Sequence, residues 1–130
     1  MKYLFITLIF FLYGCDTVEE KPQNQNRTYD VQYIVEGTFD ECTVTHIFTG
    51  KSIIQAVHSI PWEIQMSVTV QKYNSFPASI SAVCISLGDP REVTVTLKVD
   101  GNTFESITAT GTTLIVDVAA RLSLDGVFPL

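Results

Sequence analysis

A chain of 130 residues with 46% hydrophobic content is long enough for one packed domain and too short for two of ordinary size. Eight basic against fourteen acidic residues leave a formal net charge of −6, with the cations scattered, which argues against nucleic acid as a partner. Three cysteines and two histidines, His46 and His58, with no Cys-x-x-Cys spacing, are too few ligands for a metal site.

The first element in chain order is a leader. Lys2 precedes an apolar run, Tyr3 to Tyr13, whose only clearly polar member is Thr7. About 7–15 apolar residues behind a positive charge predict a secretory signal, since a helix crossing the hydrocarbon needs about 20. The run closes on Leu12-Tyr13-Gly14-Cys15, which resembles the lipobox of bacterial lipoproteins: an aliphatic residue three before the cysteine, a small one just before it, then Cys. The resemblance implies cleavage after residue 14 and a diacylglycerol thioether on Cys15. The mature chain would then be lipid-anchored to a membrane outside the cytoplasm, in the cell envelope. Each buried methylene adds about 0.8 kcal/mol of membrane affinity, so two or three acyl chains anchor durably where one does not. No cofactor beyond this covalent lipid is expected. Removing fourteen residues from 130 leaves 116, carrying seven basic and fourteen acidic side chains. Anionic headgroups should repel such a chain, so the lipid and not charge is expected to hold it at the bilayer.

Residues 15–28 read as an acidic, flexible tether, because Asp16 to Thr28 contains almost no apolar side chain to offset the entropy of ordering. Asp16, Glu19 and Glu20 lie where lipoprotein sorting is read. An aspartate there resembles an inner-membrane retention signal in enterobacterial-type sorting, whereas acidic residues near the cysteine accompany surface export in other groups.

Residues 29–124 read as one β domain. Tyr29, Val31, Tyr33 and Val35 alternate with polar partners, and Gly37-Thr38-Phe39-Asp40 turns the chain. Thr43 to Phe48 is β-branched and ends at Thr49-Gly50-Lys51; Ser52 to Ile60 follows and is broken by Pro61. Ile64, Met66, Val68 and Val70 alternate again. After Asn74-Ser75-Phe76-Pro77, Ser79 to Leu87 is a nearly continuous apolar run, which predicts a strand covered on both faces. Val93, Val95, Leu97 and Val99 lead through Asp100-Gly101, a hairpin signal, into Thr103 to Ala109. Leu114, Val116, Val118, Ala120 and Leu122 share one face of the last strand, with Asp117 outward, and residues 125–130 read as a tail. Seven or eight short strands with evenly spaced turns predict an immunoglobulin-like antiparallel β-sandwich, with a small barrel as the alternative.

With Cys15 committed to lipid, Cys42 and Cys84 form an even pair in an oxidising compartment. Two readings stay open. A disulfide would close a loop of about 43 residues and contribute on the order of 4 kcal/mol; free thiols would behave as small buried hydrophobes.

A second resemblance covers roughly residues 29–110. Val31-Gln32-Tyr33-Ile34-Val35-Glu36-Gly37, then Thr43-Val44-Thr45, Ile60-Pro61-Trp62 and finally Val93 to Gly101 look like the extracytoplasmic domain of the MmpS family, small membrane proteins that accompany MmpL-type lipid transporters. Family members are held by an uncleaved helix where this chain has a lipobox. The resemblance implies a β-sandwich and an accessory role beside an envelope transporter.

Trp62 is the single tryptophan and is either a platform for a sugar or lipid ligand or a plug in the core. His46 and His58 invite a pH switch or a ligand pair, against satisfied strand histidines. Phe39, Tyr73 and Phe76 lie in or next to turns and would form either a contact surface or a cap over the sandwich. No Gly-x-Ser-x-Gly, His-Glu-x-x-His or phosphate-cradling glycine loop is present, and no pair of carboxylates has a reason to share a site, so no catalytic residue is expected. The expectation is a monomeric, non-catalytic envelope lipoprotein that contacts another envelope protein such as a transporter. The alternative is a carrier of a small apolar or glycan ligand in a groove near Trp62. An inhibitor using loop 72–78 to fill a hydrolase cleft is a third.

Overall fold

The computed structural model describes residues 25–130; the predicted leader, Cys15 and most of the tether lie outside the described residues. Nine strands follow in order: β1 (Asn26–Gly37), β2 (Cys42–Phe48), β3 (Lys51–Val57), β4 (Trp62–Gln71), β5 (Phe76–Ile85), β6 (Arg91–Val99), β7 (Asn102–Gly111), β8 (Thr113–Ser123) and β9 (Gly126–Pro129). They form two antiparallel sheets, one ordered β4-β1-β6-β7 and the other β3-β2-β5-β8-β9. The chain crosses between the sheets from β1 to β2, β3 to β4, β4 to β5, β5 to β6 and β7 to β8, so each sheet is knitted from distant segments. The result is the all-β sandwich expected. Among the described residues no helix is long and apolar enough to cross a membrane.

The period-two alternation places the core as read. Tyr29, Val31, Tyr33 and Val35 of β1 are fully buried, as are Val93, Val95 and Leu97 of β6. Val116, Val118, Ala120 and Leu122 of β8 and Ala78, Ile80, Ala82 and Cys84 of β5 face them from the other sheet. Two hairpins turn on adjacent positive-φ pairs, Thr49-Gly50 (φ 47° and 79°) and Asp100-Gly101 (φ 52° and 78°). This backbone matches the right-handed twist of the strands it joins.

Three features differ from the sequence reading. The strand count is nine, because residues 126–129, expected within the tail, pair with Ala120–Ser123 as β9; Val127 packs on the core there. β1 begins at Asn26, inside the expected tether. Its polar start is held by pairing with Thr69, Val70 and Gln71, by a 3.0 Å hydroxyl bond between Thr28 and Thr69, and by Arg27 lying 4.6 Å over the Tyr29 ring. The apolar run through β5 is covered on one face only: Ile85 is 60% exposed, and Leu87, just past the strand, is fully exposed.

Candidate functional site

Cys42 and Cys84 sit directly opposite each other in the β2–β5 ladder and are joined by a disulfide, with Cα atoms 4.3 Å apart. That spacing is typical of the closer, non-hydrogen-bonded pairs of an antiparallel ladder. The bridge lies on the inner face, where both cysteines are buried.

The inward face of β2 continues through Val44 to His46, which is 1% exposed. Its ring inserts between two aromatics of the facing sheet, 5.7 Å from Tyr33 and 5.5 Å from Trp62, centroid to centroid. Trp62 therefore faces the interior, half-buried against a histidine. His58 is elsewhere, exposed on the β3–β4 loop with Nδ1 3.5 Å from Glu41. The structure does not bring the two histidines together. Among the described residues no three His, Cys, Asp or Glu side chains are placed to hold a metal ion. Of the turn aromatics, Phe39 is buried, Phe76 is half-buried and Tyr73 is 92% exposed. Asp117 points outward from β8, as its parity required.

Neither ring nitrogen of His46 has a hydrogen-bond partner. Burial lowers its pKa below the usual histidine value. The adjacent Tyr33 phenol donates to the Ile47 carbonyl at 3.2 Å, and burial pushes its pKa up to about 12, so it stays neutral throughout. The unfolded chain takes up a proton near pH 6.5, which the folded chain refuses until lower pH. Stability is therefore fully present above about pH 6.5 and is lost as pH falls toward the folded-state pKa, by at most about 1.4 kcal/mol per unit. Urea midpoints measured from pH 7 to pH 5 should fall for the native chain and fall less for His46→Phe. Equal slopes would remove His46 from the account.

The two outer faces of the sandwich differ in character. The four-stranded sheet presents hydrogen-bonded polar pairs: Ser67 donates to Asp30 at 3.0 Å, Gln32 to Glu63 at 3.2 Å, and the Thr94 and Thr108 hydroxyls lie 2.7 Å apart. The five-stranded sheet presents a mixed face, on which Thr43, Thr45, Ser79, Ser81 and Asp117 lie among exposed aliphatic side chains. Ala56, Thr43, Val83 and Ile115 form one row across β3, β2, β5 and β8, each directly opposite the next. Ile115 is 68% exposed, and Ile54 (73% exposed) and Ile85 extend this surface, with Leu87 just past its edge. No polar network occupies it. The sequence signal was present, since Ser79 to Leu87 reads as a strand covered on both sides, but the chain itself supplies only one cover.

No family model matches the chain, and no curated protein is significantly similar to it in sequence.

Proposed function

We propose that this protein is a non-catalytic lipoprotein of the bacterial cell envelope, anchored through lipid on Cys15, whose sandwich docks as an accessory module on another envelope protein. The observation that carries the reading is the group of exposed aliphatic side chains on the five-stranded sheet, Ile54, Ile85 and Ile115, with Leu87 just past its edge. Contiguous exposed apolar surface on a small domain marks an interaction site more often than scattered single residues do. Here it includes the outward Val83 and Ile85 of β5, whose inward residues are already buried in the core. The resemblance of residues 29–110 to MmpS-type domains makes a transporter of the resistance-nodulation-division type the partner of choice. The half-buried Trp62 ring packs against His46, which lends the carrier reading less support.

The test is co-purification of a transporter of that type, encoded beside this chain, from membranes of cells labelled with a fatty-acid analogue. The native chain should carry the label, lose it on Cys15→Ser, and bring the transporter with it. Ile85→Lys combined with Ile115→Lys should lower transporter recovery at least tenfold while leaving the thermal melt of the domain within a few degrees of native. Both side chains are solvent-exposed, and such changes ordinarily cost about 0.5 kcal/mol or less. Undiminished recovery would exclude this face. A saturable shift of Trp62 fluorescence on adding envelope glycans would favour the carrier instead.

A further inference from the structure

We propose that the end of the sandwich from which the tether emerges is a docking surface for anionic phospholipid headgroups. Docking there would hold the domain upright, with its opposite end directed away from the bilayer.

The cations that look scattered in sequence are gathered by the fold. β1 starts, and the β2–β3, β4–β5 and β8–β9 turns lie, at one end of the sandwich. Arg27, Lys51, Lys72 and Arg121 sit at that end and Lys98 lies on the same half, which accounts for five of the six cations among the described residues. The same half holds four carboxylates, Asp30, Asp100, Glu105 and Asp125, whereas the opposite end carries six, Glu36, Asp40, Glu41, Glu63, Asp89 and Glu92, with Arg91 alone against them, 3.6 Å from Asp40. With five cations against four carboxylates on one half and one against six at the other end, the domain is polarised, and such a field orients a protein at a charged surface.

The positive end also has shape. A groove of about 570 Å³ runs between the β4–β5 and β8–β9 turns, lined by Lys72, Tyr73, Arg121 and Phe128 and by the amides of Gln25, Gln71 and Asn74. Three cations lie over aromatic rings rather than beside carboxylates: Arg27 over Tyr29, Lys72 over Tyr73 at 5.0 Å, and Arg121 over Phe128 at 5.8 Å. Among the described residues none of the three is in an ion pair, and Asp125 is the one carboxylate in the groove lining. Tyr73 adopts φ 67° at the tip of its turn and is 92% exposed. A tyrosine beside lysine and arginine is the chemistry of a bilayer interface: the ring sits at headgroup level, the cations meet phosphate, and the amides reach glycerol hydroxyls.

Position favours a membrane over other occupants, and this step rests on the lipid-anchored reading above. Gln25 lines the groove, and its carbonyl accepts from the Lys72 amide at 3.1 Å. Ten residue steps, with nine residues between, link it to Cys15, a reach of at most about 35 Å. A link that short raises the effective concentration of bilayer at the groove to the millimolar range, so even a weak headgroup site is occupied.

The full-length acylated chain, with p-benzoylphenylalanine replacing Tyr73 or, separately, Leu87 at the opposite end, is reconstituted into vesicles and illuminated. With 30% phosphatidylglycerol in phosphatidylcholine, position 73 should cross-link lipid at least tenfold more than position 87. The yield should drop severalfold in pure phosphatidylcholine, in 0.5 M salt, or with Lys72→Ala and Arg121→Ala. Equal yields at the two positions, or cross-links from position 73 only to protein (its own tether or a second copy), would overturn the proposal. Fatty-acid labelling is scored on the same sample. An unlabelled chain that still cross-links phosphatidylglycerol sinks the anchor and leaves the dock. A labelled chain that does not cross-link does the reverse.

Discussion

Replacing Cys42 and Cys84 together by alanine should lower the stability of the domain by about 4 kcal/mol, the loop-entropy value for a closure spanning 42 residues. The place of the bridge explains why the loss should be felt locally first. β2 and β3 form a hairpin whose hydrogen-bonded link to the rest of the five-stranded sheet is the β2–β5 ladder, and that ladder pairs only Cys42 to His46 with Ile80 to Cys84. β3 is otherwise an open edge, exposed from Lys51 to Ala56. Without the covalent tie, amides of β2 and β3 should exchange with solvent faster than those of β1, β6 and β8, which sit in longer ladders. Urea unfolding of the double variant, compared with the native chain with and without reductant, gives the total. A loss under about 1 kcal/mol would mean that the five-pair ladder and buried Val44 hold the hairpin unaided.

Gly37→Ala should cost about 3 kcal/mol and lower the melting temperature by on the order of 15 °C. Gly37 ends β1 at φ 145°, backbone that non-glycine residues rarely adopt. A Cβ there would come within 2.1 Å of the Glu92 carbonyl oxygen and 2.9 Å of the Val93 Cα, both main-chain atoms that cannot rotate away. The close approach has a purpose. At this corner the chain leaves one sheet for the other, and β6 clamps it. The Thr38 amide donates to the Glu92 carbonyl at 2.9 Å, the Glu92 amide donates to the Thr38 hydroxyl at 3.0 Å, and Arg91 donates to the Thr38 carbonyl at 2.6 Å. Gly88→Ala is the natural control, since nothing lies within 4 Å of its added Cβ, and its melt should match the native one. A Gly37→Ala melt equal to that of Gly88→Ala would show that the corner relaxes freely.

Both effects depend on contacts between residues far apart in sequence, and this is where sequence reading reached its limit. Inward and outward assignments along β1, β4, β6 and β8 were legible, because strand side chains alternate with period two and each run contains four or five apolar residues in phase. The Asp100-Gly101 hairpin was legible because its backbone demands residues that tolerate positive φ. β9 was not, since four residues ending in Phe128 and Pro129 carry no pattern and become a strand only by finding the β8 edge. The start of β1 was hidden for a similar reason: Asn26, Arg27 and Thr28 are polar, and pairing with β4, not composition, makes them extended. For the candidate site, the apolar excess in Ser79 to Leu87 was visible, but its meaning inverted. It marks a face left open rather than one already covered.

By itself, the sequence determined the local periodicities, the lipobox-like Leu12-Tyr13-Gly14-Cys15 and the even cysteine pair, because each depends on residues adjacent in the chain or on simple parity. Tertiary structure decided what depends on register and crossover. Pairing set Cys42 opposite Cys84, and the facing of two sheets sealed His46 between Tyr33 and Trp62. Alternate crossing of the chain collected Arg27, Lys72 and Arg121 at one end and six of the carboxylates at the other. Charge and exposure are properties of a surface, and a surface exists only once distant segments have been brought side by side.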